Sequence, residues 1–527
     1  MKKKYLFIPF IALIVCFSLI MSIGLLAFGE SKPGANENLT DKPSFFVDGK
    51  INNNYFAEFS KYVNDRFFLR QEFISYNNLL SSKLFNVSGS DSVVLGKDGW
   101  LYYESTLNDY SGVNTMSNRD IFAAANNVKL MKEYCEANGI EFTFMVAPNK
   151  NSLYSENMPS IKAFNTSYNA KRLHKYFDDF KVNYVDIFKA FSTEPVLYYK
   201  TDSHWNVKGA AKAADLVNAV FKKNSNYYGG NFSTIKNGYT GDLYNMLYPS
   251  FKGGEDEIIY GGALNYSMIT QNAAPDSFII KTESDNEGSI LVYRDSFGNN
   301  FYPFIANSYN SATFSRDTVY DLTKDTDFIL VELVERNIPW LISNIPVLKS
   351  QKVDISLPTA SASKVNVVRS KAKAAPFGYD FFSGKLEMMP DDESSVYVSV
   401  GEDVYEALIT EDNGFAVYLP EGSEPTAVAF TKSGVTLNLS VTLTDDGSKE
   451  PANSENGEFD NDKFLAAQNL VGSSIEELYS AIGNPNKSNY LPSCIGVGKD
   501  GTLQYNGFTV TTFKDDKGET IKGVFKD

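Results

Sequence analysis

Two histidines serve the whole chain, so imidazole chemistry near neutral pH has two candidates. His204 lies in Thr201-Asp202-Ser203-His204-Trp205-Asn206, just before an amphipathic segment that Asn206 is suited to cap. Asp202, two residues upstream, can turn its carboxylate onto one ring nitrogen, fix the tautomer and stabilise the imidazolium. The other nitrogen is then a base. A loop that merely caps the helix uses the same residues. His174, mid-helix between Arg172 and Lys175, reads as a solvated surface side chain. A base needs a nucleophile. Ser296, in Arg294-Asp295-Ser296-Phe297-Gly298, follows the apolar stretch Ser289–Tyr293 and leads into a helix. A serine at a strand-to-helix turn presents its hydroxyl at the carboxyl edge of a sheet, where ligands bind in doubly wound folds. N–H groups at the helix start could hold an oxyanion there, and Gly298 would admit close approach. The plain alternative for Ser296 is an N-cap; the two segments together are more specific.

These residues need a scaffold. Periodicity predicts helices over Asp120–Asn138, Asn169–Phe180, Val207–Phe221 and from Asn299 to Ile305, and strands at Ile140–Ala147, Val182–Ile187, Ser289–Tyr293, Ala312–Ser315 and Asp327–Leu333. The alternation implies an α/β domain, a doubly wound, mostly parallel sheet, over about residues 45–357. A Gly-, Tyr- and Asn-rich stretch, 224–288, reads as an insertion. Short strands with turns at Asn413-Gly414 and Ser433-Gly434 predict a small antiparallel β-sandwich over 375–446. An acidic linker, 447–462, leads to a small α+β module, 463–527. There the capping box Ser474 to Glu477 opens a helix ending at Gly483, and turns at Asn506-Gly507 and Lys517-Gly518 predict three strands.

Lys2, Lys3 and Lys4 precede an apolar run, Tyr5 to Phe28, in residues 1–30. As a helix it would be about 36 Å long, enough for a hydrocarbon core of roughly 30 Å. The expectation is a single-pass signal anchor with the bulk of the chain extracytoplasmic, residues 31–44 forming a stalk. The alternative is secretion after cleavage near Ala27-Phe28-Gly29. A net charge of −15 argues against nucleic-acid binding. Three cysteines cannot build a disulfide scaffold or zinc module, and no metal-ligand spacing or phosphate loop appears, so no metal or cofactor is expected. Cys135 and Cys494 are expected to be free.

The two active segments resemble the blocks of SGNH-type hydrolases, with the serine block after the Asp-x-His block. That order resembles the SGNH-like domains of the AlgJ and AlgX alginate O-acetyltransferase proteins and the related DHHW family. Tyr62–Arg70 (Tyr-Val-Asn-Asp-Arg-Phe-Phe-Leu-Arg), Gly96–Tyr103 (Gly-Lys-Asp-Gly-Trp-Leu-Tyr-Tyr) and Pro148-Asn149-Lys150 with Tyr154 are similar to further blocks of the family. The likeness spans about residues 42–340. Two departures are plain: the DHHW motif reads Asp202-Ser203-His204-Trp205, and Arg294 stands where many hydrolases have a glycine. The resemblance implies Ser296 as nucleophile, His204 as general base then acid and Asp202 as orienting carboxylate, with Asp295 supporting the turn. Asn149, Lys150 and Tyr154 could contact a sugar, a uronate or the oxyanion, or only brace their loop. Arg316 could bind an anionic polymer or pair with Asp317.

The expected function is a serine O-acetyltransferase acting on a cell-surface or secreted polysaccharide through an acetyl-serine. By resemblance, a membrane-bound O-acyltransferase would be the acetyl donor. A carbohydrate acetyl-esterase with the same residues, or a degenerate polysaccharide-binding protein, are the alternatives.

Overall fold

The computed structural model describes residues 9, 11, 12 and 40–526, apart from 41, 48, 49, 271, 272, 371–374, 447–460, 469, 471, 472, 486, 493–498, 516 and 517. Seven strands form the central sheet: β1 (Glu141–Ala147), β2 (Tyr184–Val185), β3 (Ser267–Met268), β4 (Ile279–Glu283), β5 (Ser289–Tyr293), β6 (Ser311–Ser315) and β7 (Phe328–Val334). Their order is β2-β1-β7-β5-β6-β4-β3. The pairs from β2 to β6 are parallel, and β4 and β3 add an antiparallel edge. The stretch expected as an insertion therefore contributes two strands to the sheet.

Alternation along each buried strand feeds two cores. Phe142, Phe144 and Val146 of β1 and Ile329, Val331 and Leu333 of β7 face one side. Met145, Ala147, Leu330 and Val334 face the other. Helices α1 (Asn118–Ala137) and α2 (Tyr168–Phe180) cover the first face, and α3 (Val207–Val220) and α4 (Gly298–Ala306) the second. This is the expected doubly wound α/β arrangement.

His174 is a correction. It is buried on α2 and its ring lies 4.5 Å from that of Tyr184. Ala170, Leu173, His174 and Phe177 share one apolar helix face, and burial lowers the His174 pKa. Cys135 on α1 is buried and unpaired, while Cys494 lies outside the described residues.

The all-β module begins earlier than expected, at Ser361, and closes into a seven-stranded barrel rather than an open sandwich. Ser361–Ser370 pairs antiparallel with Tyr379–Lys385 and parallel with the last strand, Val435–Asp445, which seals the ring. Helix α1 lies between sheet and barrel, so one hydrophobic core runs through both. Asn127 pins the junction: its Nδ2 donates to the carbonyls of Leu341 and Ile409, each at 2.8 Å, and its Oδ1 accepts the Ile409 N–H at 2.8 Å. In the last module, Ser474 caps Ile475–Ile482 as expected, but the sheet has four strands, because Lys487–Pro492 joins it.

The single-pass anchor is not upheld: among the described residues no helix is long and apolar enough to cross a membrane. Apart from Pro9, Ile11 and Ala12, the run Tyr5–Phe28 lies outside the described residues.

Asn127→Ala leaves three buried backbone groups without partners, so unfolding free energy should fall by about 3 kcal/mol. Urea titration of both proteins measures this.

Candidate active site

The loop before α3 is tied into a tight ring. Tyr198 and Trp205 form an antiparallel bridge, and the Asn206 N–H donates to the Leu197 carbonyl at 2.8 Å. Asn206 caps α3 through the N–H groups of Lys208 (3.0 Å) and Gly209 (3.1 Å). At the end of β5 the chain turns sharply into α4, and the two loops clasp each other. Trp205 Nε1 donates to the Phe297 carbonyl at 3.0 Å, and Asn300 Nδ2 to the Trp205 carbonyl at 3.1 Å.

That clasp brings the predicted residues together. His204 Nε2 lies 2.8 Å from Ser296 Oγ, and Nδ1 lies 2.7 Å from Asp202 Oδ1. With a carboxylate on Nδ1, that nitrogen carries the proton and Nε2 is free to accept the serine hydroxyl's. Asp202 Oδ1 also accepts the His204 N–H at 2.8 Å. Oδ2 accepts from the Tyr239 hydroxyl at 2.7 Å and the Asp242 N–H at 2.9 Å. Burial would raise the Asp202 pKa, but the charge and hydrogen bond of His204 outweigh it and hold the carboxyl well below its usual range. Burial likewise pulls His204 down, yet Asp202 and then Asp242 bring its pKa above the ordinary imidazole value.

Tyr239 and Asp242 were not legible as site residues; they come from the Gly-Tyr-Asn stretch. The Tyr239 ring stacks on Tyr199 at 3.9 Å. Gly241 lets the segment approach, since a Cβ there would sit 2.2 Å from the Thr201 carbonyl oxygen. Asp242 accepts the Ser203 N–H at 2.7 Å and its hydroxyl at 2.5 Å, which accounts for serine at the second motif position. Asp202, His204 and Asp242 could together hold a cation, with ligand atoms within 4.8 Å of one another. Both imidazole nitrogens and both Asp202 oxygens are already committed to hydrogen bonds, which suits a proton relay better.

The other candidates are mostly architecture. Lys150 is buried, and its ammonium donates to the carbonyls of Tyr199 (3.1 Å), Lys200 (2.9 Å) and Asp202 (2.5 Å), holding the ring that carries His204. Burial pushes its pKa down to about 8, against the partial offset of Asp202, Asp242 and Glu255. The Tyr154 hydroxyl accepts the Leu197 N–H at 2.9 Å, bracing the same loop. Asn149 donates to Asp109 at 2.9 Å through its side chain and to Glu335 at 2.9 Å through its backbone. Asp295 supports the serine turn, accepting the N–H groups of Phe297 (2.9 Å) and Val334 (2.7 Å). Arg294 is buried and donates to Asn299 (2.7 Å) and to the carbonyls of Pro275 and Ser277 (each 2.9 Å), tying the sheet's edge loop to α4. Arg316 donates to the Asp276 carbonyl of that loop at 3.1 Å. None of these six touches His204 or Ser296 through a side-chain hydrogen bond among the described residues.

A hydroxyl, imidazole and carboxylate in hydrogen-bonded sequence on the rim of a mostly parallel sheet define a hydrolase-like site. Residues 93–248 match the family model for the SGNH hydrolase-like domain of the acetyltransferase AlgX, a stretch that includes Asp202 and His204 and ends before Ser296. That stretch is similar to the SGNH hydrolase-like domain of AlgX, in line with the resemblance read from the sequence. A curated relative, the probable alginate O-acetylase AlgJ of Pseudomonas fluorescens, is 29% identical over 140 residues, 26% of this chain. The match spans only 34% of that relative's length. Among solved structures, Bacillus cereus PatB1 is 19% identical, with 46% of this chain and 95% of that one covered at a TM-score of 0.37. The O-acetyltransferase domain of Pseudomonas putida AlgJ is 18% identical, with 47% and 92% covered at a TM-score of 0.33. A DHHW family protein from Eubacterium siraeum is 17% identical, with 41% and 85% covered at a TM-score of 0.32.

Lys150→Met takes the ammonium from the Tyr199 and Asp202 carbonyls of the His204 ring, while that of Lys200 keeps the Leu101 N–H at 2.9 Å. It should lower unfolding free energy by about 2–4 kcal/mol and, by displacing the imidazole, lower kcat/KM on a small acetyl ester about 100-fold. Chemical denaturation and a chromogenic ester assay read the two effects.

Proposed function

We propose that this protein is a serine O-acetyltransferase that moves acetyl groups onto hydroxyls of a polysaccharide. The observation that carries the proposal is the continuous Ser296–His204–Asp202 hydrogen-bonded chain, with distances of 2.8 and 2.7 Å. The family match at the His204 loop supports acyl transfer as the reaction class.

In the first half-reaction Ser296 Oγ attacks the donor's acetyl carbonyl as its proton passes to His204 Nε2. The Asp202 carboxylate stabilises the resulting imidazolium. The Ser296 N–H has no partner among the described residues, while those of Phe297, Gly298 and Asn299 are spent on Asp295 and Ser296. The Ser296 N–H is therefore assigned to the developing oxyanion. Collapse breaks the acetyl–leaving-group bond, and His204 returns its proton to the leaving group. In the second half-reaction a sugar hydroxyl loses its proton to His204 and attacks the acetyl-serine; the acetyl–Oγ bond breaks as His204 returns that proton to Ser296 Oγ. A covalent intermediate separates taking the acetyl from giving it. A membrane-bound O-acyltransferase remains the proposed donor partner, and polysaccharide the proposed acceptor.

Ser296→Ala and His204→Ala should abolish both acetyl release from a small ester and acetyl transfer to oligosaccharide acceptors. Mass spectrometry of the wild type quenched during turnover should show one added acetyl on the Ser296 peptide. Asp202→Asn should lower the rate about 10⁴-fold; an unchanged rate would falsify the triad.

The pH dependence has a definite sign. The base must be neutral to accept the serine proton, and its pKa is raised above the ordinary 6.5. The rate should therefore fall about tenfold per pH unit below an inflection above 6.5. A pH–kcat/KM profile on a small acetyl ester measures it.

A further inference from the structure

The strand that supports the serine turn also delivers a cation with no hydrogen-bond acceptor or ion-pair partner among the described residues. Arg336 follows β7, whose last residue, Val334, donates to Asp295. Its neighbours Glu335 and Asn337 are buried, which fixes the backbone on either side, while Arg336 itself is half-exposed. Its guanidinium lies over the Tyr103 ring at 5.5 Å, which holds the planar fork in place. Arg119, Arg172 and Arg294 spend their donors on carbonyls of the fold. Among the described residues the Arg336 guanidinium donates to no acceptor and forms no ion pair. Its charge nevertheless reaches His204 and Asp109. Asp109 is held by Asn149 instead, at 2.9 Å. In a chain of net charge −15, an uncommitted guanidinium on the rim that carries the serine needs a ligand to account for it.

We propose that Arg336 forms an anion subsite beside Ser296, taking a carboxylate or phosphate substituent of the acceptor polymer through its planar pair of donors. The inference rests on the acyl-transfer reading for the meaning of "acceptor"; the binding itself does not require turnover.

The test is equilibrium binding by the full chain of three labelled probes: a galacturonate hexamer, its fully methyl-esterified neutral form, and an oligo(glycerol phosphate). The wild type should bind one of the anionic probes at least about tenfold more tightly than the neutral hexamer. Which anionic probe it prefers distinguishes carboxylate from phosphate. R336Q should lose that preference and R336K should keep part of it, with thermal melting of both variants showing that the fold is intact. Equal binding of all three probes by the wild type, or a preference unchanged in R336Q, would overturn the subsite. If ester turnover survives in Ser296→Ala while the charge preference persists, the acyl-transfer reading fails and the subsite stands. If turnover depends on Ser296 but no charge preference exists, the reverse holds.

Discussion

A buried carboxylate is tolerated only when its lone pairs are filled, since an unpaired one costs several kcal/mol. Asp202 sets that requirement, and much of the domain is arranged to meet it. Two donors come from its own loop, both from His204. The other two must come from elsewhere, and the chain supplies them from about forty residues downstream, as the Tyr239 hydroxyl and the Asp242 N–H. The segment carrying them has to lie against the His204 ring, which is why a glycine stands at 241. Below the ring, Lys150 answers the opposite need. Three carbonyls pointing inward are satisfied by one ammonium, whose desolvation cost appears in its lowered pKa. The imidazole is thus held by the Asp202 carboxylate, and the loop that carries it by the Lys150 ammonium.

The same demand for saturation shapes the turn that carries Ser296. Asp295 spends both oxygens on backbone N–H groups, and Glu332 accepts the Asp295 N–H at 3.0 Å. Burial and the neighbouring Asp295 raise the Glu332 pKa well above the carboxylate range. Arg294 replaces the freedom of a glycine with a rigid tie to the loop 275–277. Gly298 takes over as the small residue, because a Cβ there would meet the Arg294 side chain at 2.3 Å.

What could be read from the sequence was local. The strand Ser289–Tyr293 followed by a serine turn, and Asp-x-His ahead of a capped helix, each need only a few neighbouring residues. Their meeting across ninety-two positions was implied by the edge of a parallel sheet. Tyr239 and Asp242 were hidden because their partner lies across a Gly-, Tyr- and Asn-rich stretch with no apolar period to mark a fold. His174 was misplaced by its basic neighbours, although Ala170, Leu173 and Phe177 already marked a buried helix face. The strand Ser361–Ser370 escaped notice because Val365 and Val367 are the only buried apolar residues along it.

Helix α1 serves two partners at once: Ile121, Ala124, Val128 and Met131 are almost wholly enclosed between sheet and barrel. Severing the connector between residues 344 and 360 would leave two fragments still joined along that helix. The α/β domain is therefore not a separable cassette. Calorimetry would register the α/β domain and the barrel as a single cooperative melt.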